Sequence, residues 1–397
     1  SYPEVVRHRH TVEIAICAEE ERFREIYRRG RTFLDTHIER AKAAGTNVFP
    51  GSDAFELHDT YGFPSDLTRV IVEEEGLRYD EAGFERAMEE QRRRAQAKST
   101  IKGEVFDTGP VSQLKAVKQV RTEFVGYEKD EVDATLWAVF RGEEKVHHAK
   151  AGEEVDFVLD RTPFYAESGG QVADRGLARM KEKGEDADST AEVLDVQNRD
   201  GFYFHRVRVT QGAFHFGATV GLRVDPGWRW RVTKNHTATH LLHKALKVVL
   251  GPSVGQAGSL VHPEYLRFDF TWGEKLTEDQ KRSVEDLVNR RVMEAIPVTW
   301  DVKPLEEAKA EGAVMMFGEK YGERVRVLRV GDFSVELCGG THAANSGNIG
   351  PFRITKEQAL GAGVRRIFAL TGPGAIEHLR GREEALEEAA RSLKTPP

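Results

Sequence analysis

Cysteine is scarce in this chain of 397 residues, which contains only Cys17 and Cys338. Because the two lie far apart in the sequence, the chain does not carry the pattern of a disulfide framework. The first residues, Ser1-Tyr2-Pro3-Glu4, lack the basic and apolar segments of a secretory signal. Both observations predict a protein of the reducing cytoplasm.

Long apolar runs and an excess of positive charge are also missing. No stretch approaches the roughly 20 apolar residues that a membrane-spanning helix needs, so we expect no membrane partner. The formal net charge of -7 argues against wholesale wrapping of nucleic acid. Local basic clusters do occur, and each alone is more often a solvated surface than a nucleic-acid contact. The main ones contain Arg92, Arg93 and Arg94, then Arg229, Arg231 and Lys234, then Arg365 and Arg366.

The chain is too long for one ordinary hydrophobic core, and its patterning predicts several domains. Residues 1–103 have apolar positions at three- and four-residue steps, which predicts an all-α region. Residues 104–225 contain short β-branched and aromatic segments, which predict a small β-barrel. Residues 226–375 mix long helices with strands, as in an α+β core, and residues 376–397 begin a charged helix.

Several local predictions accompany this multi-domain fold class. We expect Asp66 to cap a helix from Leu67 to Glu75, and another helix to run from about Asn235 to Leu250 before Gly251. Strands are predicted at 105–106 and 124–127, and a strand pair at 324–330 and 333–337. The polar stretch 181–189 is predicted to be a solvated hairpin tip or an insertion.

Two pairs of residues with a four-residue spacing carry the clearest chemistry. His236 and His240 would share one face of a helix, close enough to bind one metal ion. Cys338 and His342 repeat the spacing on a loop containing Gly339 and Gly340, after a predicted strand. Cys and His are preferred zinc ligands, and four donors suit tetrahedral Zn²⁺.

The four donors leave two questions open. His243 follows on a neighbouring face, where it could replace one histidine, cap the groove or face solvent. A four-ligand site is ordinarily structural, whereas catalysis needs a position open to water or substrate. A metalloprotease is disfavoured because no glutamate stands between His236 and His240.

Longer segments resemble known proteins. The segments HTATHLLH (236–243), GQAGSLV (255–261), LRFDF (266–270), ELCGGTHAANSGNIGPF (336–352) and GAGVRRI (361–367) resemble the editing domain of alanyl-tRNA synthetases. The segment RTPFYAESGGQVADRG (161–176) is similar to the barrel segment of that family. Two further segments resemble the helical tRNA-recognition region of the family: AFELHDTYGFPSDLT (54–68) and EAGFERAMEEQRRRA (81–95). The similarity follows the order of the family and spans nearly the whole chain.

The resemblance implies a proofreading function. The expected reaction is zinc-dependent hydrolysis of seryl-tRNA(Ala) and glycyl-tRNA(Ala), with the acceptor stem and 3′ end as partner and no role for DNA. The family's aminoacylation domain should precede Ser1 and a further domain should follow Pro397. We therefore expect an internal fragment that hydrolyses but does not charge tRNA. The rival interpretations are a tRNA-docking module with a structural zinc and a hydrolase of some other ester or peptide.

The resemblance implies roles for Gln256 and Asp59, and side-chain chemistry suggests the other site residues. Gln256 matches a residue that lines the editing pocket, although it could simply bond to its own loop. Thr237 and Thr239 would place hydroxyls near the metal or bond to the helix backbone. Gln171 would contact the 3′ end or belong to a structural turn. Asp59 would meet the acceptor stem or form an Asx turn before Tyr61. Phosphate contacts are expected from Arg92, Arg93, Arg94, Arg365 and Arg366.

Overall fold

The structure is a computed structural model that describes residues 9–98, 109–116, 121–181, 188–315, 321–361 and 363–395. The predicted strand at 105–106 and most of the polar stretch 181–189 lie outside the described residues. The chain divides into two compact units, 1–107 and 108–397.

The first unit is built almost entirely from helices. Its elements are α1 (Arg9–Ala43), β1 (Val48–Phe49), α2 (Gly51–Tyr61), α3 (Ser65–Glu74), β2 (Arg78–Tyr79) and α4 (Glu81–Lys98). The two short strands pair in parallel. Leu34, Phe49, Leu57 and Phe63 are fully buried and form the centre of the core. Because apolar residues recur along one face of each helix, the helices pack around this core.

The predicted cap of α3 is wrong by two residues. The helix begins at Ser65, and Pro64 precedes it without a side-chain cap. Asp66 lies in the first helical turn. Its carboxylate stands near the positive end of the helix dipole there, which is favourable, but it does not cap the helix. Proline at position 64 fixes the extended entry into the helix.

The second unit begins with α5 (Pro110–Ala116) and a β-barrel, which confirms the predicted barrel. Its elements are β3 (Glu123–Phe124), β4 (Glu131–Arg141), β5 (Glu144–Val146), β6 (His148–Lys150), β7 (Glu154–Leu159), β8 (Arg161–Thr162), β9 (Gly176–Met180), β10 (Thr190–Arg199), β11 (Phe202–Gln211), β12 (Ala213–His215) and β13 (Thr219–Val224). Six strands follow one another in the order β13-β9-β10-β11-β7-β4, and pairing of β13 with β4 closes the ring. The strand expected at 124–127 is shorter, because a turn follows Phe124.

A mixed α/β core follows the barrel. Its elements are α6 (Pro226–Leu250), β14 (Gln256–Val261), β15 (Leu266–Thr271), α7 (Glu278–Met293), β16 (Val298–Pro304), α8 (Leu305–Ala310), β17 (Arg324–Val330), β18 (Ser334–Leu337), β19 (Phe352–Gly361), β20 (Val364–Thr371) and α9 (Gly372–Leu393). Strands β14-β15-β20-β19 form one antiparallel sheet and β16-β17-β18 another. A 3₁₀ turn spans Ser346–Ile349. The predicted pairing at 324–330 and 333–337 is confirmed by β17 and β18.

Helix α6 begins nine residues before the predicted start. The Asp225 side chain accepts hydrogen bonds from the amides of Gly227 (2.8 Å) and Trp228 (3.0 Å), and Pro226 occupies the first turn. Proline and glycine often interrupt helices, but proline is well placed in a first helical turn, where its missing N–H costs nothing. The early start gives α6 an additional segment that packs against the barrel.

A buried ion pair joins the barrel to α6 within the second unit. Asp174, in the barrel, has no exposed surface, and Arg229 of α6 donates to both of its carboxylate oxygens. Arg229 also donates to the carbonyls of Gly126 (2.9 Å) and Pro163 (2.8 Å). The basic cluster noted around Arg229 therefore includes a residue that holds two parts of the fold together.

Among the residues that the structure describes, no helix combines the length and the apolar character needed to cross a lipid bilayer.

Candidate metal centre

The four predicted donors converge. His236 and His240 come from α6, Cys338 and His342 from the loop after β18, and their ligand atoms lie within 4.8 Å of one another. The Cys338 Sγ lies 3.4 Å from His236 Nε2 and 3.1 Å from His342 Nε2. The rings of His236 and His240 are nearly parallel, with centroids 5.3 Å apart, as the i, i+4 helix spacing predicts.

Gln171 fixes the orientation of His236. Its amide oxygen lies 2.9 Å from the backbone nitrogen of Thr341 and 2.7 Å from His236 Nδ1. Because a backbone N–H can only donate, the atom facing it must be the oxygen, and His236 Nδ1 then carries the proton. The lone pair of His236 therefore lies on Nε2, toward Cys338. Gln171 is fully buried, so its side chain bonds within the protein, where it orients a candidate metal ligand.

Glu336 plays the same part for His240, and the sequence did not single it out. One carboxylate oxygen accepts from His240 Nδ1 at 2.8 Å, and the other accepts from the Ser334 hydroxyl at 2.9 Å. Glu336 lies two residues before Cys338, on the last strand before the loop. A carboxylate behind a metal-binding histidine orients the ring and raises its basicity. The position of Glu336 two residues before Cys338 was the sequence feature that could have indicated this role.

Thr237 lies behind His342, as Gln171 and Glu336 lie behind the other two histidines. Its hydroxyl donates to the carbonyl of Thr233 (2.9 Å) and accepts from the amide of Ala343 (3.0 Å). His342 Nδ1 is 3.4 Å from the same oxygen, a long contact. Thr239 donates to the carbonyl of Asn235 at 2.8 Å. Both threonines thus make the helix-backbone bonds considered from the sequence, and Thr237 also adjoins a ligand.

The donor set fits a zinc ion. All three histidines direct Nδ1 to an oxygen acceptor, which leaves each Nε2 for the centre of the cluster. The Nε2 of His240 is buried and has no hydrogen-bond partner in the described structure. An unpartnered buried nitrogen is costly unless something binds it. Three imidazoles and one thiolate are the donors that tetrahedral zinc prefers.

The electrostatics favour the forms that bind metal. Burial opposes ionisation of the Cys338 thiol, but the neighbouring His236, His342 and His240 outweigh it and hold its pKa well below the usual value. Burial lowers the pKa of His342 to about 3. In the metal-free cluster, Glu336 and Cys338 overcome the effect of burial and raise the pKa of His240 to about 10. A thiolate and a neutral imidazole are the ligand forms, so a cation here competes with the proton on His240.

Arg326 and Tyr127 fix the loop that carries Cys338 through hydrogen bonds to its backbone carbonyls. Arg326 donates to the carbonyls of Cys338 (3.1 Å) and Gly340 (2.7 Å), and the Tyr127 hydroxyl donates to the carbonyl of Gly339. Gly340 has to be glycine, because a Cβ there would lie 2.0 Å from His236 Cε1. Sequence reasoning attributed this glycine to loop bending, whereas it makes room for a ligand ring.

A cavity of about 140 Å³ opens beside the donors. It is lined by α6 residues on one face, by the Ser168-Gly169 turn and by Gln256 at the start of β14. The Gln256 side chain donates to the Ser259 hydroxyl at 3.1 Å, so it bonds within its own segment and also borders the cavity. His243 lines the cavity too, is only 3% exposed, and is not among the four converging donors. Of the alternatives considered for His243, exposure to solvent is contradicted by this burial.

The remaining predicted contact residues lie elsewhere. Arg365 pairs with the buried Glu357, and Arg366 makes two hydrogen bonds to Asp269 at 2.7 and 2.8 Å. Asp59 is exposed in the last turn of α2, where its carboxylate accepts from Gln91. Arg93 is exposed on α4 near Glu89. The side chains of Arg92 and Arg94 lie outside the described residues.

Comparisons with known proteins agree with this arrangement. The profile described as "tRNA synthetases class II (A)" matches residues 1–228, and that of the "Threonyl and Alanyl tRNA synthetase second additional domain" matches residues 325–368. The alanine–tRNA ligase of Pelotomaculum thermopropionicum is 47% identical over 399 aligned residues, which cover 100% of this chain and 45% of that protein. The chain belongs to the alanyl-tRNA synthetase family.

Other members of this family are similarly close. The alanine–tRNA ligases of Shouchella clausii and Geobacillus kaustophilus are 46% and 45% identical, and the alignments cover 99% and 100% of this chain. Each alignment covers 44% of the relative, so the chain spans less than half of the length of these synthetases. The resemblance to alanyl-tRNA synthetases is thereby confirmed.

Proposed function

We propose that this chain binds tRNA(Ala) and hydrolyses seryl-tRNA(Ala) and glycyl-tRNA(Ala) with the help of one zinc ion. The observation that carries the proposal is the convergence of His236, His240, Cys338 and His342 within 4.8 Å beside a small cavity. A site for an aminoacyl ester needs both a polar centre and a pocket of limited size. The family match supports a tRNA partner, and we place the activity in the cytoplasm.

A second hydrolytic site answers a problem that an alanine pocket cannot solve. Glycine is smaller than alanine and cannot be excluded sterically, and one added hydroxyl in serine provides only a few kcal/mol of discrimination. Hydrolysis in a separate cavity removes the products that escape the first selection. A cavity of about 140 Å³ suits a small acyl group.

The roles of the residues follow from their positions. The four donors would hold Zn²⁺, which as a Lewis acid can polarise an ester carbonyl or lower the pKa of a water molecule. Gln171, Glu336 and Thr237 keep the three imidazoles oriented toward the centre. Gln256 and Thr239 border the cavity, and we propose that Gln256 contacts the amino-acid side chain.

We propose tRNA contacts for a smaller set of exposed residues than the sequence offered. Asp59 and the segment Arg92, Arg93 and Arg94 lie in the first unit, and the exposure of Asp59 and Arg93 supports a role at the acceptor stem. Arg365 and Arg366 already pair with carboxylates, which accounts for both guanidinium groups without a phosphate. Direct contact of Gln171 with the 3′ end has no comparable support, because that side chain is buried.

A tRNA-docking module with a purely structural zinc is the second candidate. It is favoured by the number of protein donors, since four are enough to complete a tetrahedral site. The two candidates differ in whether zinc ligands are needed for hydrolysis once the fold is intact. They therefore respond differently to substitution of a single ligand.

Deacylation assays test the proposal. The chain should release serine from seryl-tRNA(Ala) and glycine from glycyl-tRNA(Ala) much faster than alanine from alanyl-tRNA(Ala). The Cys338→Ala variant should lose this activity while its circular dichroism spectrum and tRNA binding are retained. Hydrolysis by a folded Cys338→Ala variant at the unsubstituted rate would favour the structural role, and equal rates for all three esters would refute selective editing.

A further inference from the structure

Each of the three backbone carbonyls in the ligand-loop segment 338–340 accepts a hydrogen bond from a side chain outside the loop. Arg326 of β17 donates to the first and the third, and Tyr127, in the turn after β3, donates to the second. A loop carbonyl can bond to water instead, so the hydroxyl of Tyr127 is not needed merely to satisfy the carbonyl of Gly339.

The peptide group between Gly339 and Gly340 links that hydroxyl to the candidate ligand Cys338. A trans peptide group carries its carbonyl oxygen and its N–H on opposite sides. The oxygen of this group accepts from Tyr127, and its N–H, on the Gly340 nitrogen, donates to Cys338 Sγ at 3.4 Å. Fixing the oxygen therefore fixes the direction in which the N–H points.

This peptide group needs an external restraint because glycine lies on both sides of it. Glycine lacks a Cβ, and its backbone dihedrals are less restricted than those of any other residue. A side chain at Gly340 is excluded by the ring of His236, because a Cβ would lie 2.0 Å from its Cε1. The loop thus cannot gain rigidity from a larger residue at that position, and the bond from Tyr127 supplies it.

A hydrogen bond to the sulfur matters for a metal ligand. A thiolate is a charged acceptor, and hydrogen bonds to charged groups are stronger than neutral ones. The donor withdraws electron density from the sulfur, so the thiolate gives less charge to a bound metal ion. Hydrogen bonds around a ligating sulfur tune the metal site in this way, as other supporting contacts orient the ligands.

We propose that Tyr127 is a positioning residue of the metal centre, which directs the Gly340 amide toward Cys338 Sγ by holding the Gly339 carbonyl. This inference rests on the proposed function, because it concerns the zinc ion that the four donors would hold. Tyr127 does not border the cavity beside the donors, so it acts through the loop.

The Tyr127→Phe variant tests the proposal by removing one oxygen atom. The ring should stay in place, because it packs edge-on against Phe124, with centroids 4.9 Å apart, and its centroid lies 4.2 Å from the guanidinium of Arg326. Cobalt takes the same donors as zinc and shows a thiolate-to-metal charge-transfer band. Loss of the N–H···S bond makes the sulfur richer in electrons, so this band should shift to longer wavelength in Tyr127→Phe.

Tyr203→Phe is the matched control. Tyr203 lies in the same barrel and also packs against Phe124, but its hydroxyl bonds to Asn198 rather than to the ligand loop. Its cobalt band should therefore not move. Urea unfolding of both variants measures what the lost hydroxyl costs the fold. A merely structural role for Tyr127 would lower stability without moving the band, and that result overturns the proposal.

A second measurement needs no variant. In the unsubstituted protein, loaded with cadmium and carrying isotope-labelled glycine, the Gly340 amide proton should show a scalar coupling to the metal nucleus in the NMR spectrum. The N–H···S bond transmits this coupling. Its absence overturns the proposal even if Tyr127→Phe does not fold.

The outcomes separate this inference from the function on which it rests. An unmoved band in a folded Tyr127→Phe protein overturns the positioning role, and an equal shift in Tyr203→Phe does the same by showing a general loosening of the fold. Both results leave the editing function intact. If the unsubstituted protein binds neither zinc nor cobalt, the metal-dependent function itself fails, and this inference fails with it.

Discussion

Gln171 shows how much of the metal centre depends on single residues outside the ligand motif. It lies 65 positions before His236, yet its amide oxygen accepts from the ring of that ligand and from the amide of Thr341. One side chain thus connects the barrel, helix α6 and the ligand loop. The sequence offered Gln171 as a contact of the 3′ end or as part of a structural turn, but local spacing does not reveal its bond to a ligand across the fold.

Replacing Gln171 by methionine should weaken zinc binding. The volume is similar, but His236 loses its acceptor and its ring orientation. Loss of such a supporting bond typically lowers metal affinity by about 10- to 100-fold. Competition with a fluorescent zinc chelator measures the affinity. Gln211→Met, the same change at an exposed position of β11, is the control and should have no effect. Equal affinities for the two variants would contradict the supporting role.

Gly340→Ala should disrupt the site where Gly339→Ala does not. A Cβ on residue 340 would lie 2.0 Å from His236 Cε1, so the ligand ring must move. At residue 339 the nearest atom is 3.9 Å away, an ordinary contact. Zinc measured by elemental analysis should therefore fall well below one per chain in Gly340→Ala and stay at about one in Gly339→Ala. Full zinc content in Gly340→Ala would show that the loop moves to accommodate the added methyl group, and it would contradict the prediction.

At the scale of elements, periodicity predicted most of what the structure contains. The strand at 324–330 and its partner were read correctly because β-branched residues alternate there. The start of α6 was missed because Pro226 and Gly227 resemble a break, whereas Asp225 caps the helix before them. Glu336 was missed for a different reason. Its strand position was evident, but its bond to His240 spans 96 residues and only the fold brings the two together.

The joint between the barrel and α6 should be sensitive to loss of one charge. Burial raises the pKa of Asp174 even though Arg229 lowers it, so the carboxylate depends on that partner. Arg229→Met leaves a buried carboxylate alone and removes donors from the Gly126 and Pro163 carbonyls. Breaking a buried pair in this way costs about 3–5 kcal/mol. Urea unfolding measures the change in the free energy of unfolding.

Two comparisons check this estimate. Arg141→Met removes a half-exposed partner of Glu153 in the same barrel and should cost much less, because solvent screens that pair. Combining Asp174→Asn with Arg229→Met should recover part of the loss, because no unpaired charge remains. A double variant less stable than Arg229→Met alone would contradict the role assigned to the lone carboxylate.

At the scale of the whole molecule, the succession of helical, barrel and mixed segments could be predicted, since each has its own periodicity. The limits proposed at residues 103, 225 and 375 stay predictions. Convergence of the four donors was inferred from two spacings and from resemblance. Its physical cause, the packing of α6 against the strand pair β17–β18 and the barrel, is a tertiary property that no single segment contains.

His205 couples the stability of the barrel to acidity, and nothing in its sequence context marked it. The ring is fully buried, and Nδ1 donates to the Phe157 carbonyl at 3.1 Å. Nε2 therefore accepts from the Thr162 hydroxyl at 2.7 Å. Both nitrogens are satisfied only in the neutral ring. Burial lowers the pKa of His205 to about 4, below the value near 6.5 of an unfolded chain.

Between pH 6.5 and 4 the unfolded chain binds a proton at this residue that the folded chain does not. The stabilisation is thus complete above pH 6.5 and is lost as the pH falls toward 4. His205→Gln cannot titrate, so the stability difference between the two proteins should shift by about 2–3 kcal/mol between pH 7.5 and 4.5. The metal ligands titrate equally in both proteins and cancel in the difference. Urea unfolding across this range measures it, and a difference independent of pH would mean that His205 has the same pKa in the folded and the unfolded chain, which would contradict the prediction.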